Sequence, residues 1–203
     1  MEEDVDVYFM ARDPAAVPLK DERAIQRVHD ILVLRDENDK EIEIKITDTY
    51  GKTRKDSAGN SKEHHGWDIA APKGSLIRWN YNEAATTIKH TAYSAWGWQN
   101  GRANYGYQVS VVTTRDDSEY VLRFCHLLND VAQQWKIGTV VAQGAAIAKV
   151  GTSGRMPNAA NPHLHLEVFK KVDKQFKRID PIDFFRLVAD GSIQAPTGLR
   201  ITQ

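Results

Sequence analysis

The sequence predicts a mainly β protein, an antiparallel sheet core with a short helix near each end. Three features carry that prediction. Apolar and polar residues alternate through residues 41–47 and 163–169. Residues 107–114 and 119–126 flank the turn residues 115–118, a hairpin signal. Apolar residues at helical spacing occur only near the two ends.

In chain order, Ala24, Ile25, Val28, Ile31 and Leu32 fall at helical spacing and predict a short amphipathic helix within residues 20–34. Residues 36–40 read as a turn. Residues 41–47 read as a strand, with Ile42, Ile44 and Ile46 on one face and Glu41, Glu43 and Lys45 on the other. The polar stretch 49–63, with Gly51 and Gly59, reads as a loop. Residues 74–78 form a short strand candidate, the 107–126 hairpin follows, and residues 140–150 hold a glycine-punctuated apolar run. Asp180-Pro181 reads as an N-cap with proline at the first helical position. Ile182, Phe185 and Val188 then form an apolar stripe, stopped at Gly191. These elements divide the chain into an N-terminal extension over residues 1–40, a principal domain over 41–190 and a tail over 191–203.

Composition narrows the function. Of 203 residues, 41% are hydrophobic and 27% charged, as in a folded globular chain. Twenty-seven basic residues match twenty-seven acidic ones, which gives no electrostatic reason for a nucleic-acid or anionic-membrane partner. No apolar run approaches the ~18 residues of a spanning helix. A single cysteine, Cys125, excludes an internal disulfide framework and a multi-cysteine zinc cluster. Residues 1–7 are acidic and lack the features of a secretory signal, so an exported protein would have had its signal removed or would travel by another route.

Five of the seven histidines fall in three short stretches. In His163-Leu164-His165 a strand puts both imidazoles on one face, as a metal-binding pair or as two exposed strand histidines. His64-His65-Gly66-Trp67-Asp68 sets an imidazole and a carboxylate four residues apart around a glycine, as converging ligands or as a turn cap. His126 is the third site. Cys125 precedes it, but strand alternation would send the two to opposite faces, which leaves Cys125 a small core residue. Gly151-Thr152-Ser153-Gly154 is not a nucleophile elbow, because Arg155 stands where glycine is required. His29 and His90 take no role.

Residues 64–72 (HHGWDIAAP) resemble the H-x-G-x-D motif of the lysostaphin-like (LytM-like) zinc metallopeptidases, which cleave peptidoglycan peptides. The segment 163–168 (HLHLEV), preceded by Pro162, matches their H-L-H motif. Residues 144–154 (GAAIAKVGTSG), Tyr105-Gly106, His126-Leu127 and Asp180-Pro181 follow the family order, so the likeness spans about residues 46–185. The resemblance implies an antiparallel sheet or partial barrel of the lysostaphin-like peptidase type. It implies a Zn2+ cofactor held by His64, Asp68 and His165, with His126 and His163 as catalytic histidines; the four-residue step to Asp68 selects His64 over His65. Zinc in such a set acidifies water toward a pKa of about 7.

The expected function is therefore zinc-dependent hydrolysis of peptidoglycan peptide cross-links outside the cytoplasm. An acidic and charged surface without an added wall-binding module favours D,D-endopeptidase action on diaminopimelate-type cross-links over glycyl-glycine endopeptidase action. A non-hydrolytic peptidoglycan-binding or amidase-activating module is the rival. Delivery by a phage or a secretion system would make the enzyme a bacteriolytic weapon and call for an immunity protein. Glu167 shares the face of the H-L-H pair and reads as an exposed strand glutamate or a support for the ligands. The aromatic segment 80–107, with Tyr81, Tyr93, Trp96, Trp98, Tyr105 and Tyr107, reads as a substrate-groove wall, with Trp96, Trp98 and Tyr105 as the contact residues, or as a self-packed insertion.

Overall fold

The computed structural model describes residues 22–55, 58–94, 105–128, 134–154 and 162–189. Helix α1 (Glu22–Ile31) leads into strands β1 (Leu32–Arg35), β2 (Glu41–Ile42), β3 (Lys45–Asp48), β4 (Gly51–Lys55), β5 (Ser61–His64) and β6 (Trp67–Ala70). Strands β7 (Leu76–Trp79), β8 (Thr86–Ser94), β9 (Gly106–Arg115) and β10 (Ser118–Leu127) follow. The chain closes with β11 (Ala145–Lys149), β12 (His163–Val172), β13 (Gln175–Ile179) and helix α2 (Pro181–Ala189).

The strands form three antiparallel sheets. The largest is open and runs β3-β6-β12-β10-β9-β8, with β13 also paired to β12. A four-stranded sheet runs β11-β7-β1-β2, and β4 and β5 pair alone. Between the two larger sheets lies one apolar core. It takes Ile69, Leu122, Phe124, Leu164 and Leu166 from one sheet, and Leu32, Leu34, Ile77, Trp79 and Ile147 from the other. Residues 22–35 contribute to this same core, through Val28 and Ile31 of α1 and through the pairing of β1 with β7.

Local chemistry explains the tight connections. Asp116 and Asp117 both adopt left-handed φ, 43° and 56°, in a two-residue turn that matches the twist of β9 and β10. Asp173 and Lys174 do the same between β12 and β13. At α2, Asp180 Oδ1 accepts from the Ile182 N–H at 3.0 Å, and Pro181 occupies the first turn, where its missing N–H has no partner to lose. Phe185 of α2 stacks on Trp67 of β6, 5.4 Å between centroids, which ties the helix to a strand of the candidate site.

Several sequence expectations change. Leu32 begins β1 rather than ending the helix, because pairing with Trp79 of β7 outweighs the helical period. Residues 41–47 split into β2 and β3, which belong to different sheets, although Ile44 and Ile46 both reach the core. The predicted loop 49–63 contains the β4–β5 hairpin. Gly74, φ +94°, lies in the turn before β7 rather than in the strand. The side chain of Val188, Gly191, and the whole of Trp96 and Trp98 lie outside the described residues.

Candidate metal and catalytic site

The site lies on the face of the largest sheet turned away from the core. Along β12, Leu164, Leu166 and Val168 enter the core, so His163, His165 and Glu167 take the opposite face. β6 runs antiparallel beside it with His165 directly opposite Asp68. β5 ends at His64, and Gly66 carries the chain from there into β6. A Cβ at Gly66 would stand 2.3 Å from the Leu166 carbonyl oxygen, so only glycine lets this turn press against β12.

Three donor atoms converge. His64 Nε2 is 3.2 Å from Asp68 Oδ1 and 3.1 Å from His165 Nδ1, and His165 Nδ1 is 2.8 Å from Asp68 Oδ1. All three residues are buried. Donors about 2.0–2.1 Å from a tetrahedral ion stand about 3.3 Å apart, so this two-nitrogen, one-oxygen set fits zinc in both chemistry and span. His65 instead lies half-buried beside Glu63.

Surrounding groups orient these side chains. The His64 Nδ1–H donates to the Thr49 carbonyl at 2.7 Å, which leaves Nε2 as the lone-pair nitrogen. Arg54 of β4 donates to Asp68 Oδ2 and, through Nε, to Asp48 Oδ2 at 2.6 Å, so Oδ1 alone faces the cluster. Burial would raise the Asp68 pKa, but hydrogen bonds from His165 and His64 hold it well below the usual carboxylate range. Burial would lower that of His165, but Asp68 and Glu167 raise it, so a proton and a cation compete for Nδ1.

His126 reaches the site by a distortion. Pairing of β10 with β9 shifts register between Phe124 and Leu127, and His126 has φ +61°. A regular strand would send it to the core side with Phe124; this bulge turns its ring to the histidine cluster, 5.2 Å from His163 and 5.8 Å from His165. The alternation used to separate it from Cys125 therefore fails here, although Cys125 is fully buried as expected. Ser153 clasps the bulge. Its carbonyl accepts the His126 Nδ1–H at 2.9 Å, while its hydroxyl donates to the Leu127 carbonyl at 2.7 Å and accepts from the Tyr107 N–H at 2.9 Å. The glycine-flanked 151–154 segment thus has a supporting role that its failure as a nucleophile elbow concealed. Burial, then the charges of His165 and His163, lower the His126 pKa to about 3. His163 is more open, with Nε2 3.5 Å from Asp68 Oδ1.

Glu167 corrects the expectation of an exposed strand glutamate: its side chain is fully buried. It accepts from Arg123 Nη1 at 3.0 Å and from the Tyr105 hydroxyl at 3.0 Å, and pairs with Arg178 Nη2 at 3.1 Å. Burial would raise its pKa, but His165, Arg178 and Arg123 bring it to about 2. His165 Nε2 makes no hydrogen bond among the described residues and faces Glu167 Oε1 at 3.8 Å. Tyr105 stacks on the His165 ring at 5.4 Å, so it stands over the cluster. Tyr81 instead belongs to the core beside Trp79. Sequence reasoning missed Arg54 and Ser153, whose partners are remote in the chain.

A family model described as Peptidase family M23 matches residues 62–181. Among solved structures, LytU is similar at 24% identity over 68% of this chain and 82% of that chain, with a TM-score of 0.48. The catalytic domain of the antimicrobial peptidase lysostaphin from Staphylococcus simulans is similar at 22% identity over 70% of this chain and 92% of that chain, TM-score 0.47. A putative glycyl-glycine endopeptidase LytM from Ruminococcus gnavus is similar at 18% identity over 61% and 46%, TM-score 0.41. No curated protein sequence matches the chain.

Proposed function

Because the chain belongs to peptidase family M23, we propose that it is a zinc-dependent endopeptidase that hydrolyses peptide cross-links of bacterial peptidoglycan, with His64, Asp68 and His165 as metal ligands and His126 and His163 as catalytic histidines. The observation that carries this reading is the convergence of His64 Nε2, Asp68 Oδ1 and His165 Nδ1, with two further imidazoles beside them. Zinc held there supplies an acidified water and a Lewis acid for the scissile carbonyl.

The chain's own groups divide the remaining work. His126 is neutral at pH 7, because burial and its imidazole neighbours disfavour the cation. With Nδ1–H committed to Ser153, its Nε2 lone pair takes a proton from the attacking water. The more exposed His163 hydrogen-bonds the oxyanion that develops on the attacked carbonyl, and one of the two returns a proton to the leaving amine. Tyr105, its hydroxyl tied to Glu167, walls the cluster. We assign the bond to the D,D class of diaminopimelate-type cross-links. Charged Arg123 and Arg178 stand beside the ligands, and a neutral polyglycine bridge has no use for them. Such a substrate places the action outside the cytoplasm. No helix among the described residues is long and apolar enough to cross a membrane.

The test is turnover of purified peptidoglycan with and without chelator, comparing wild type with His165→Ala and following released amines and fragment masses. Metal-dependent release that the variant loses is expected. A folded, zinc-loaded protein that binds wall material but releases no new amino termini would overturn the hydrolase in favour of a binding or activating module.

A further inference from the structure

The sheet face that carries His163 and His165 continues along β12 as Glu167, Phe169 and Lys171. Arg123 of β10 stands opposite Glu167, and Arg178 of β13 opposite Phe169. Both guanidiniums lie over the one Phe169 ring, 4.7 Å and 5.2 Å from its centroid. Each reaches back with one nitrogen to the buried Glu167 carboxylate. Their other Nη nitrogens have no protein partner among the described residues, and the two side chains are 29% and 28% exposed.

Charge on this stretch is unbalanced. Glu167 offsets one of the two guanidiniums and leaves a single positive charge. Lys171, next along the strand, is paired with Glu119 at 3.1 Å. Lys89 stands over Phe176 at 5.3 Å and adds a further cation. Glu63 and Asp180 lie on the Tyr50 side of Arg178, so an anion would be held by the two guanidiniums themselves rather than by a net basic face. The buried glutamate and the shared ring hold the two guanidiniums in fixed planes, which suits bidentate recognition of a planar anion rather than diffuse attraction.

We propose that this stretch is a carboxylate-binding subsite of the peptide groove, in which the outward ends of Arg123 and Arg178 grip one free carboxylate of the bound peptide. At about 3.3 Å per residue, Glu167 and Phe169 lie roughly 7 and 13 Å along β12 from His165. An extended peptide with its scissile bond at the histidines would present the carboxylate two to four residues away. The assignment rests on the peptidase reading for its groove, but its test does not require turnover.

The probe is a peptidoglycan stem tetrapeptide, which has no cross-link to cut, titrated into the zinc-loaded protein. With its C-terminal carboxyl amidated throughout, it is made in three forms: both remaining carboxylates free, amidated on the diamino-acid carboxylate, and amidated on the glutamate carboxylate. One of the latter two should bind about ten-fold more weakly than the first form, and identifies which carboxylate is held. Added salt should narrow that gap, because the arginines are partly exposed. Arg178→Gln should close it, and Arg178→Lys, which keeps charge without the fork, should close it in part. Equal binding of all three forms to wild type, within two-fold at low salt, overturns the subsite. Should Arg178→Gln fail to fold with Glu167 left short of a cation, the paired variant Arg178→Gln/Glu167→Gln replaces it; a gap that survives in it also overturns the subsite. Wall cleavage without acid preference defeats the subsite alone, whereas acid preference in a protein that cuts no wall defeats the peptidase reading alone.

Discussion

Gly66→Ala tests whether the close approach of β6 to β12 builds the ligand cluster. Gly66 does not have positive φ, so alanine suits its backbone and only space decides the outcome. The added Cβ would meet the Leu166 oxygen at 2.3 Å, the Leu166 carbonyl carbon at 2.9 Å and His165 Cε1 at 3.1 Å. Carbon and oxygen rest no closer than about 3.3 Å, so relief moves one strand by about 1 Å. That shift falls between Asp68 and His165, whose donor atoms stand 2.8 Å apart. Overpacking against backbone costs about 3 kcal/mol, the upper end of the usual range. For a chain of this size that lowers the melting temperature by about 6–12 °C. Zinc affinity should fall about 10–100-fold, as when a ligand's orientation is lost. The assays are thermal melts and zinc competition against a chelator. Gly138→Ala is the control: φ is +85° and nothing lies within 4 Å, so it should cost about 1 kcal/mol of backbone strain and leave zinc affinity unchanged. If Gly66→Ala melts within a degree of wild type and binds zinc equally well, the close-approach argument is wrong.

Glu167→Gln leaves two arginines short of a counter-ion and should cost about 3–5 kcal/mol. With a folded-state pKa of about 2 against an ordinary 4.5, Glu167 contributes stability above pH 4.5 that disappears as pH falls toward 2. In the presence of chelator, wild type should therefore lose its advantage over Glu167→Gln across that window in urea titrations; a constant difference would contradict the assignment. Cys125 is fully buried, and burial followed by the Glu167 charge pushes its thiol pKa up, so a thiol reagent should label it only on unfolding. Stoichiometric labelling of the folded protein within minutes would contradict that burial. Asp117 sits at φ 56°, so Asp117→Gly should stabilise by about 1 kcal/mol and raise the melting temperature by about 2–4 °C, and a lowered one would contradict the turn assignment.

What was legible in the sequence is what local geometry fixes. The i, i+2 step of His163 and His165 and the four-residue step from His64 to Asp68 each place two groups with no help from the rest of the fold. The hairpin at Asp116-Asp117 and the Asp180-Pro181 helix start are local in the same way. Glu167 was misread because the arginines that permit its burial come from β10 and β13. The β4–β5 hairpin was missed because it buries no apolar face: Arg54 and His64 turn toward polar partners, and the usual alternation has nothing to mark. His126 shows the limit most clearly. Strand alternation sends it to the face opposite Cys125, and only a bulge clasped by Ser153, 27 residues away in the chain, turns it to the histidine cluster on the face where Cys125 pairs with His165.

The same remote contacts fix the tautomers on which the proposed chemistry depends. The Thr49 carbonyl takes the Nδ1 proton of His64 and the Ser153 carbonyl takes that of His126, so both present Nε2 to the shared space. His165 is held in the opposite sense, Nδ1 toward Asp68 and Nε2 toward Glu167. A strand pair alone would set the positions of these rings but not their protonation. Backbone carbonyls set it for two of them, and they do so without adding charge to a buried site. A carboxylate acceptor in either place would add a negative charge beside Asp68, which already sits next to Asp48 and is balanced there by Arg54. The contacts of the fold thus orient the His64 and His126 rings, while His165 Nδ1, which donates to Asp68, would have to give up its proton to hold a metal.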